Sequence, residues 1–323
     1  MNSIEIVPFQ RDHLQDAAML VANRYREERN INKSLPSQFE NADAVLPLLK
    51  NYANGQAGIA AIDEKRLIGF LIGLHITVRQ VKTAYVPDWG HAVDSESGQK
   101  IYRAMYVNLA PRWVADGYFA HAITFLAHER ETMDAWFSLG FGMVGIDAVR
   151  DVSLIEGGMA KVEIRRARLE DINIVLTLRV ALKRHLAEAP IFIPFTPQRG
   201  REFYEKWLPD SANALWLAYR ERDAVAFMEL TPSSRLGVVM PVFNKSTVSI
   251  TGAFTKEALR QRGIGTTLLN HSLEWARSAG YNNCAVDFES ANIIGSSFWY
   301  GNGFKPVCYS LVRRIDERIT LAY

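Results

Sequence analysis

Residues 260–265 read R-Q-R-G-I-G. They lie between a β-branched stretch, V-S-I-T-G-A-F-T (248–255), and a helix-like stretch, T-T-L-L-N-H-S-L-E-W-A-R-S-A-G (266–280). Two glycines and two arginines at a strand-to-helix turn are equipment for binding an anion. The first amides of a helix have no internal partner and face the positive end of its dipole. Glycine lets a phosphate approach the backbone with no Cβ in the way. Arginine adds charge-assisted hydrogen bonds to phosphate oxygens. An ordinary turn with surface arginines would contain the same six residues, so the surroundings must decide. A dinucleotide fingerprint needs G-x-G-x-x-G, whereas the chain has G-I-G-T-T-L. A P-loop needs G-K-[ST] at its end, and this turn has none.

Periodicity supplies the elements that would position the turn. Ile172, Val175, Leu176, Leu178 and Leu182 recur at helical spacing and predict a helix over about 171–188. The Pro-rich loop A-P-I-F-I-P-F-T-P (189–197) ends it. A second helix over 198–207 follows, then a hairpin of strands 215–220 and 225–230, and the strand 248–255. After the turn come the helix to Ala279 with Gly280 as its C′ cap, a strand at 284–289, a short helix at about 292–300 and a last strand at 307–314. The order is β-α-α-β-β-β-α-β-α-β.

Much of this unit is written twice. At one offset D-G-Y (116–118) lies over A-G-Y (279–281), H-A-I-T-F-L-A (121–127) over C-A-V-D-F-E-S (284–290), W-F-S-L-G-F (136–141) over W-Y-G-N-G-F (299–304), and Arg150 over Arg313. At a slightly smaller offset I-E-I (4–6) lies over V-E-I (162–164), and Q-R-D-H-L (10–14) over R-L-E-D-I (168–172). The expected division is therefore 1–158 and 159–323, joined at the flexible pair Gly157-Gly158. The first copy lacks the turn, because S-G-Q-K-I-Y (97–102) stands in its place.

Length agrees with two domains, since 323 residues is about twice a typical domain of roughly 150. Hydrophobic content of 48% and charged content of 22% are those of a globular protein. A net charge of +2 and no basic run longer than a pair speak against a nucleic-acid partner. The apolar run Leu67–Leu74 is too short for a membrane span, and the start has neither a basic n-region nor an apolar h-region. Two cysteines, Cys284 and Cys308, make no disulfide framework, so the expected location is the cytoplasm. His121 and His128 do not have zinc-site spacing, and no metal is expected.

Arg260-Gln261-Arg262-Gly263-Ile264-Gly265 resembles the [RQ]-x-x-G-x-[GA] loop of the GNAT acyltransferase superfamily, and the resemblance extends over the whole second copy. Asn292 to Phe298 and Gly303-Phe304 have the spacing of that family's later motif, N-x-x-A-x-x-F-Y-x-x-x-G-F. The resemblance implies an α/β protein of two tandem GNAT folds, each a mixed, mostly antiparallel sheet flanked by helices, with the first copy degenerate. It implies acetyl-CoA as co-substrate, with its pyrophosphate on Arg260 to Gly265 and Thr266. The pantetheine arm would lie along Ala253, Phe254 and Thr255, and Asn292 would stand beside it. It also implies transfer of acetyl to an amine, on a small molecule or a peptide.

One position departs from the family. Its usual acid, a tyrosine, falls at 299, where this chain has Trp299. Tyr300 is turned about 100° from Trp299 on a helix, but an early helix end at G-N-G (301–303) would bring it into the cleft as proton donor. Glu229 and Glu289, near predicted strand ends, are candidate proton relays. Two other readings remain. A non-catalytic acyl-CoA sensor would keep the loop without an acid or base. A transferase using aminoacyl-tRNA would also pair two such folds, but the coenzyme-type loop and weak basic character oppose it.

Overall fold

The computed structural model describes residues 4–94, 98–156, 160–195, 199–237 and 239–322. The expected joint at Gly157-Gly158, Ser97 and residues 196–198 of the Pro-rich loop lie outside the described residues.

The first part of the chain runs β1 (Glu5–Gln10), α1 (Leu14–Ile31), α2 (Ala42–Leu49), β2 (Asn54–Asp63), β3 (Arg66–Ile72), β4 (Leu74–Val78), β5 (Val81–Val86), β6 (His91–Val93), α3 (Gly98–Ala115), β7 (Ala120–Leu126), α4 (Arg130–Ser138) and β8 (Gly142–Asp151). The second runs β9 (Glu163–Arg166), α5 (Ile172–Ala187), α6 (Arg201–Trp207), β10 (Ala214–Arg220), β11 (Asp223–Pro232), β12 (Thr247–Thr255), α7 (Ile264–Ser278), β13 (Asn283–Glu289), α8 (Ile293–Gly301) and β14 (Lys305–Arg314). The second series repeats the expected order element by element. In the first, the two middle strands are broken. Strands β3 and β4 form one arm of a hairpin and β5 and β6 the other, and both arms break near Gly73 and Pro87, where Ile72 N donates to Gly90 O at 2.7 Å.

The repeated tripeptides are helix caps. Gly117 and Gly280 take φ of +78° and +85°, which only glycine adopts without strain. The amides that follow reach back into the helix, Tyr118 N to Trp113 O at 2.8 Å and Tyr281 N to Ala276 O at 3.0 Å. The repeated G-F pairs do the same: Phe141 N bonds Trp136 O and Phe304 N bonds Trp299 O, at 3.2 and 3.1 Å.

Two compact units form, and they differ from the expected division at residue 158. The first holds residues 1–146, 239–241 and 306–323; the second holds 147–238 and 242–305. The reason is an exchange of final strands. In the first unit β14 lies antiparallel to β7, from Cys308↔Leu126 to Arg314↔Ala120. In the second, the end of β8 lies beside β13, and Val152 N bonds Asn282 O at 3.2 Å. The aligned arginines trade places with their strands. Arg313 lies against Gly140 and Tyr106 in the first unit, and Arg150 against Gly303 and Phe304 in the second.

The second unit's sheet has the order β13-β12-β11-β10-β9. Its central strand β11 is buried along nearly its whole length. Ile172, Val175 and Leu178 of α5 pack with Tyr204 on one face, over Leu215, Leu217 and Phe227. Helix α7 covers the other. Each such side chain contributes about 1.5–3 kcal/mol on burial. Neither Cys284 nor Cys308, both buried, forms a disulfide. Among the described residues no helix is long and apolar enough to cross a membrane, and no group of three or more His, Cys, Asp or Glu could hold a metal ion.

Candidate functional site

A fork in the second unit's sheet creates the site. Strand β12 pairs in parallel with β13 only from Thr247↔Asn283 to Ile250↔Val286, although the two strands continue to Thr255 and Glu289. On its other edge β12 is bulged: Glu229 faces Gly252 and Leu230 faces Ile250, which leaves Thr251 as the extra residue. A bulge bends its strand and increases its twist. Beyond it a cavity of about 500 Å³ opens, within the range of small-molecule sites.

The loop between β12 and α7 forms one end of this cavity. Gly263 is the N-cap of α7 at φ +77°, and no side chain caps the helix there. The first amides of α7 are therefore left to a ligand or to water. Gln261 also has a positive φ, 59°. Arg260 is braced: its Nε donates to Thr255 O at 3.2 Å and its guanidinium lies 5.6 Å from the centre of the Phe254 ring. Gly265 has a different task, because a Cβ there would come within 3.0 Å of Phe298 on α8. The second glycine serves helix-to-ring packing and thereby joins the two motifs.

Ten of the expected coenzyme residues line the cavity: Ala253, Phe254, Thr255, Arg260, Gln261, Gly263, Ile264, Gly265, Thr266 and Asn292. Arg262 does not; it is exposed on the outside of the turn. Asn292 is also a structural residue, since its Oδ1 accepts from Gly295 N at 2.9 Å and caps α8.

The catalytic candidates fall elsewhere. Helix α8 continues through Tyr300 to Gly301, so the early end that would turn Tyr300 inward does not occur. Tyr300 is 43% exposed, packs edge-on against Phe288 and does not line the cavity. Trp299 lines it instead, buried against Phe304 as Trp136 is against Phe141. Glu289 ends β13 outside the lining and is engaged in an interaction of its own. Glu229 is not near a strand end; it is completely buried in the middle of β11 and bound by four donors.

Sequence reading missed His185, which lines the cavity from the last turn of α5. The signal was present: 178, 182 and 185 continue one helical stripe. Burial lowers the His185 pKa from its usual value, and the positive charge of Arg260 lowers it further. His185 and Arg260 are the ionisable groups among the described lining residues, so no carboxylate there would repel a phosphate.

The first unit closes its own fork. Strands β5 and β7 pair in parallel from Thr83↔Ala120 to Val86↔Ile123. At the next residue of β7, buried His91 donates from Nε2 to Thr124 O at 3.0 Å. Burial and the charge of Arg24 hold its pKa well below the ordinary value, so the ring is neutral and Nδ1 accepts from Tyr102 OH at 2.7 Å. Arg24 donates to His91 O at 2.6 Å and meets Glu129 at 2.8 Å, in ionic contact without a well-aligned hydrogen bond. Arg24, His91, Tyr102 and Thr124 are all buried.

Residues 181–304 match the acetyltransferase (GNAT) family. No curated protein matches the chain. Among solved structures, a GCN5-related N-acetyltransferase from Sphaerobacter thermophilus is 13% identical with a TM-score of 0.61, over 96% of this chain and 95% of that one. A tandem GNAT protein from the clavulanic acid biosynthesis pathway is 11% identical with a TM-score of 0.51, over 97% and 98%. A GNAT-family acetyltransferase from Colwellia psychrerythraea is 13% identical with a TM-score of 0.50, over 97% and 100%. At these identities the likeness is one of fold. The match to the acetyltransferase (GNAT) family is thus confined to residues 181–304, within a fold that the whole chain shares with a tandem GNAT protein.

Proposed function

We propose that this protein transfers an acetyl group from acetyl-CoA to an amine in a ternary complex formed at the fork of the second unit. The observation that carries the reading is the uncapped, glycine-begun N-terminus of α7 at the end of an apolar cavity. Its free amides and Arg260 suit a pyrophosphate. The edge of β12 at 253–255, past the end of the β13 ladder, suits the amides of a pantetheine arm. The co-substrate supplies the activated thioester. The protein supplies position, and a backbone amide at the fork for the charge that develops on the carbonyl oxygen. With Trp299 in the tyrosine position and Tyr300 turned away, the thiolate takes its proton from water.

Calorimetric titration with acetyl-CoA and a free-thiol release assay over an amine panel test this reading. Gly263→Asp places a side chain at a positive φ and a negative charge where phosphate should sit. It should abolish coenzyme binding while the far-ultraviolet spectrum is retained. Unchanged binding in that variant would reduce the loop to a turn. Binding without release of thiol on any amine would favour the sensor reading.

A further inference from the structure

A charged cluster stands beside the fork on the face covered by α5, and coenzyme binding does not explain it. Its centre is Glu229. Oε1 accepts from Arg199 Nη1 at 3.0 Å and from Thr251 Oγ1 at 2.7 Å. Oε2 accepts from Tyr204 OH at 2.8 Å and from Arg179 Nη1 at 3.4 Å. Four donors fill the lone-pair sites of a carboxylate. Glu229 is thereby fully engaged, and acts as a strut for two guanidiniums.

The two arginines are held differently. Arg179 has a side chain only 11% exposed, and it crosses β12 so closely that a Cβ on Gly252 would collide with it. The glycine keeps the strand bare for the guanidinium. Arg199 has a side chain 40% exposed, and its guanidinium lies 4.5 Å from the centre of the Phe203 ring. Among the described residues its hydrogen bond is the one to Glu229, made through Nη1. Arg199, partly open to solvent and bonded to Glu229 through Nη1, presents the accessible positive charge of the cluster. Thr251, which donates to Glu229, is the bulge residue at which β12 leaves β13. Leu182, one turn after Arg179 on α5, and Phe227, two residues before Glu229 on β11, line the cavity.

We infer that the amine acceptor carries a carboxylate, held by Arg199 with Arg179 behind it, so that the acceptor class is α-amino acids rather than polyamines or aminoglycosides. A planar guanidinium matches a carboxylate in a two-pronged contact, whereas a polycation would be repelled. This rests on the acetyltransferase reading above and narrows it.

The test pairs each L-α-amino acid with its carboxamide in the thiol-release assay. The same pairs are titrated calorimetrically into the full chain, with and without coenzyme A. The acids should be preferred about tenfold or more, as expected for a hydrogen bond to a charged group. Arg199→Gln should erase that preference through KM with kcat little changed, and with acetyl-CoA affinity intact. Arg199→Lys, which keeps the charge and loses the fork, should retain part of it. Amides used as well as acids, polyamines used in preference to both, no amino acid bound at millimolar concentration, or a preference surviving in Arg199→Gln would overturn the inference and leave acetyl transfer standing. Failure to bind acetyl-CoA would instead remove the acetyltransferase reading, and the calorimetric arm would still decide the carboxylate site.

Discussion

His185 and Arg260 line the proposed pyrophosphate end of the cavity. Without coenzyme, His185 is neutral at pH 7, because burial and Arg260 depress its pKa. A phosphate nearby would favour the imidazolium and raise that pKa. Binding should then take up a proton, and acetyl-CoA affinity should rise as pH falls through the coenzyme-bound pKa of His185. It should level off below the free value. Calorimetry across pH 5 to 8 reads this slope, and His185→Gln should flatten it. Arg260→Ala should weaken coenzyme binding roughly tenfold to a hundredfold, the worth of one charge-assisted contact. Tyr300→Phe should leave turnover near wild type, because its ring packs on Phe288 outside the cavity. A fall in kcat of about 10²-fold, the usual loss of a general acid, would return Tyr300 to the reaction.

The elements explain why these residues were only partly legible. Helix α5, the hairpin of β10 and β11, β12, α7, β13 and α8 all lie within a few residues of where periodicity puts them, because their apolar stripes are local. The fork could not be read, because it depends on where a ladder between residues 36 apart in sequence stops. Tyr300 was misplaced for a related reason. G-N-G looks like an early stop, yet the cap is formed by Gly303 at φ +84° with Phe304 N reaching back to Trp299. The same W-to-G-F geometry in the first unit marks Trp299 as a core residue of the repeat. The coenzyme loop and α8 meet at Gly265 and Phe298, which yields a coupling test. Gly265→Val should destabilise the chain by about 1–3 kcal/mol through overpacking. In Phe298→Ala the same substitution should cost much less. A double-mutant cycle of thermal melts measures the difference, and additive effects would mean the two motifs are not joined there.

At the scale of the whole molecule, one coenzyme should bind per chain. The second unit has an open fork and an uncapped helix, while His91 and Arg24 close the fork of the first. Two equivalent sites in a titration would refute that closure. The exchange of final strands has a further consequence. The repeat divides the sequence near residue 158, but the units do not follow it: β14 completes the first and residues 147–151 the second. A fragment of residues 159–323 would lack the strand segment beside β13. It would also expose both edges of β14, whose partner β7 lies in the other half. Unpaired backbone on a buried strand and a bare sheet edge are costly and promote aggregation. The fragment should therefore fail to melt cooperatively, and it should bind acetyl-CoA far more weakly than the full chain, although it contains every residue that lines the cavity. Co-expression with residues 1–158 should restore both properties, because each half then supplies the other's missing strand. A monomeric, cooperatively folding fragment with full coenzyme affinity would show that the exchanged strands contribute nothing to the second unit's stability. Calorimetric binding, thermal melts and sedimentation of the fragment alone and of the co-expressed halves distinguish the two outcomes.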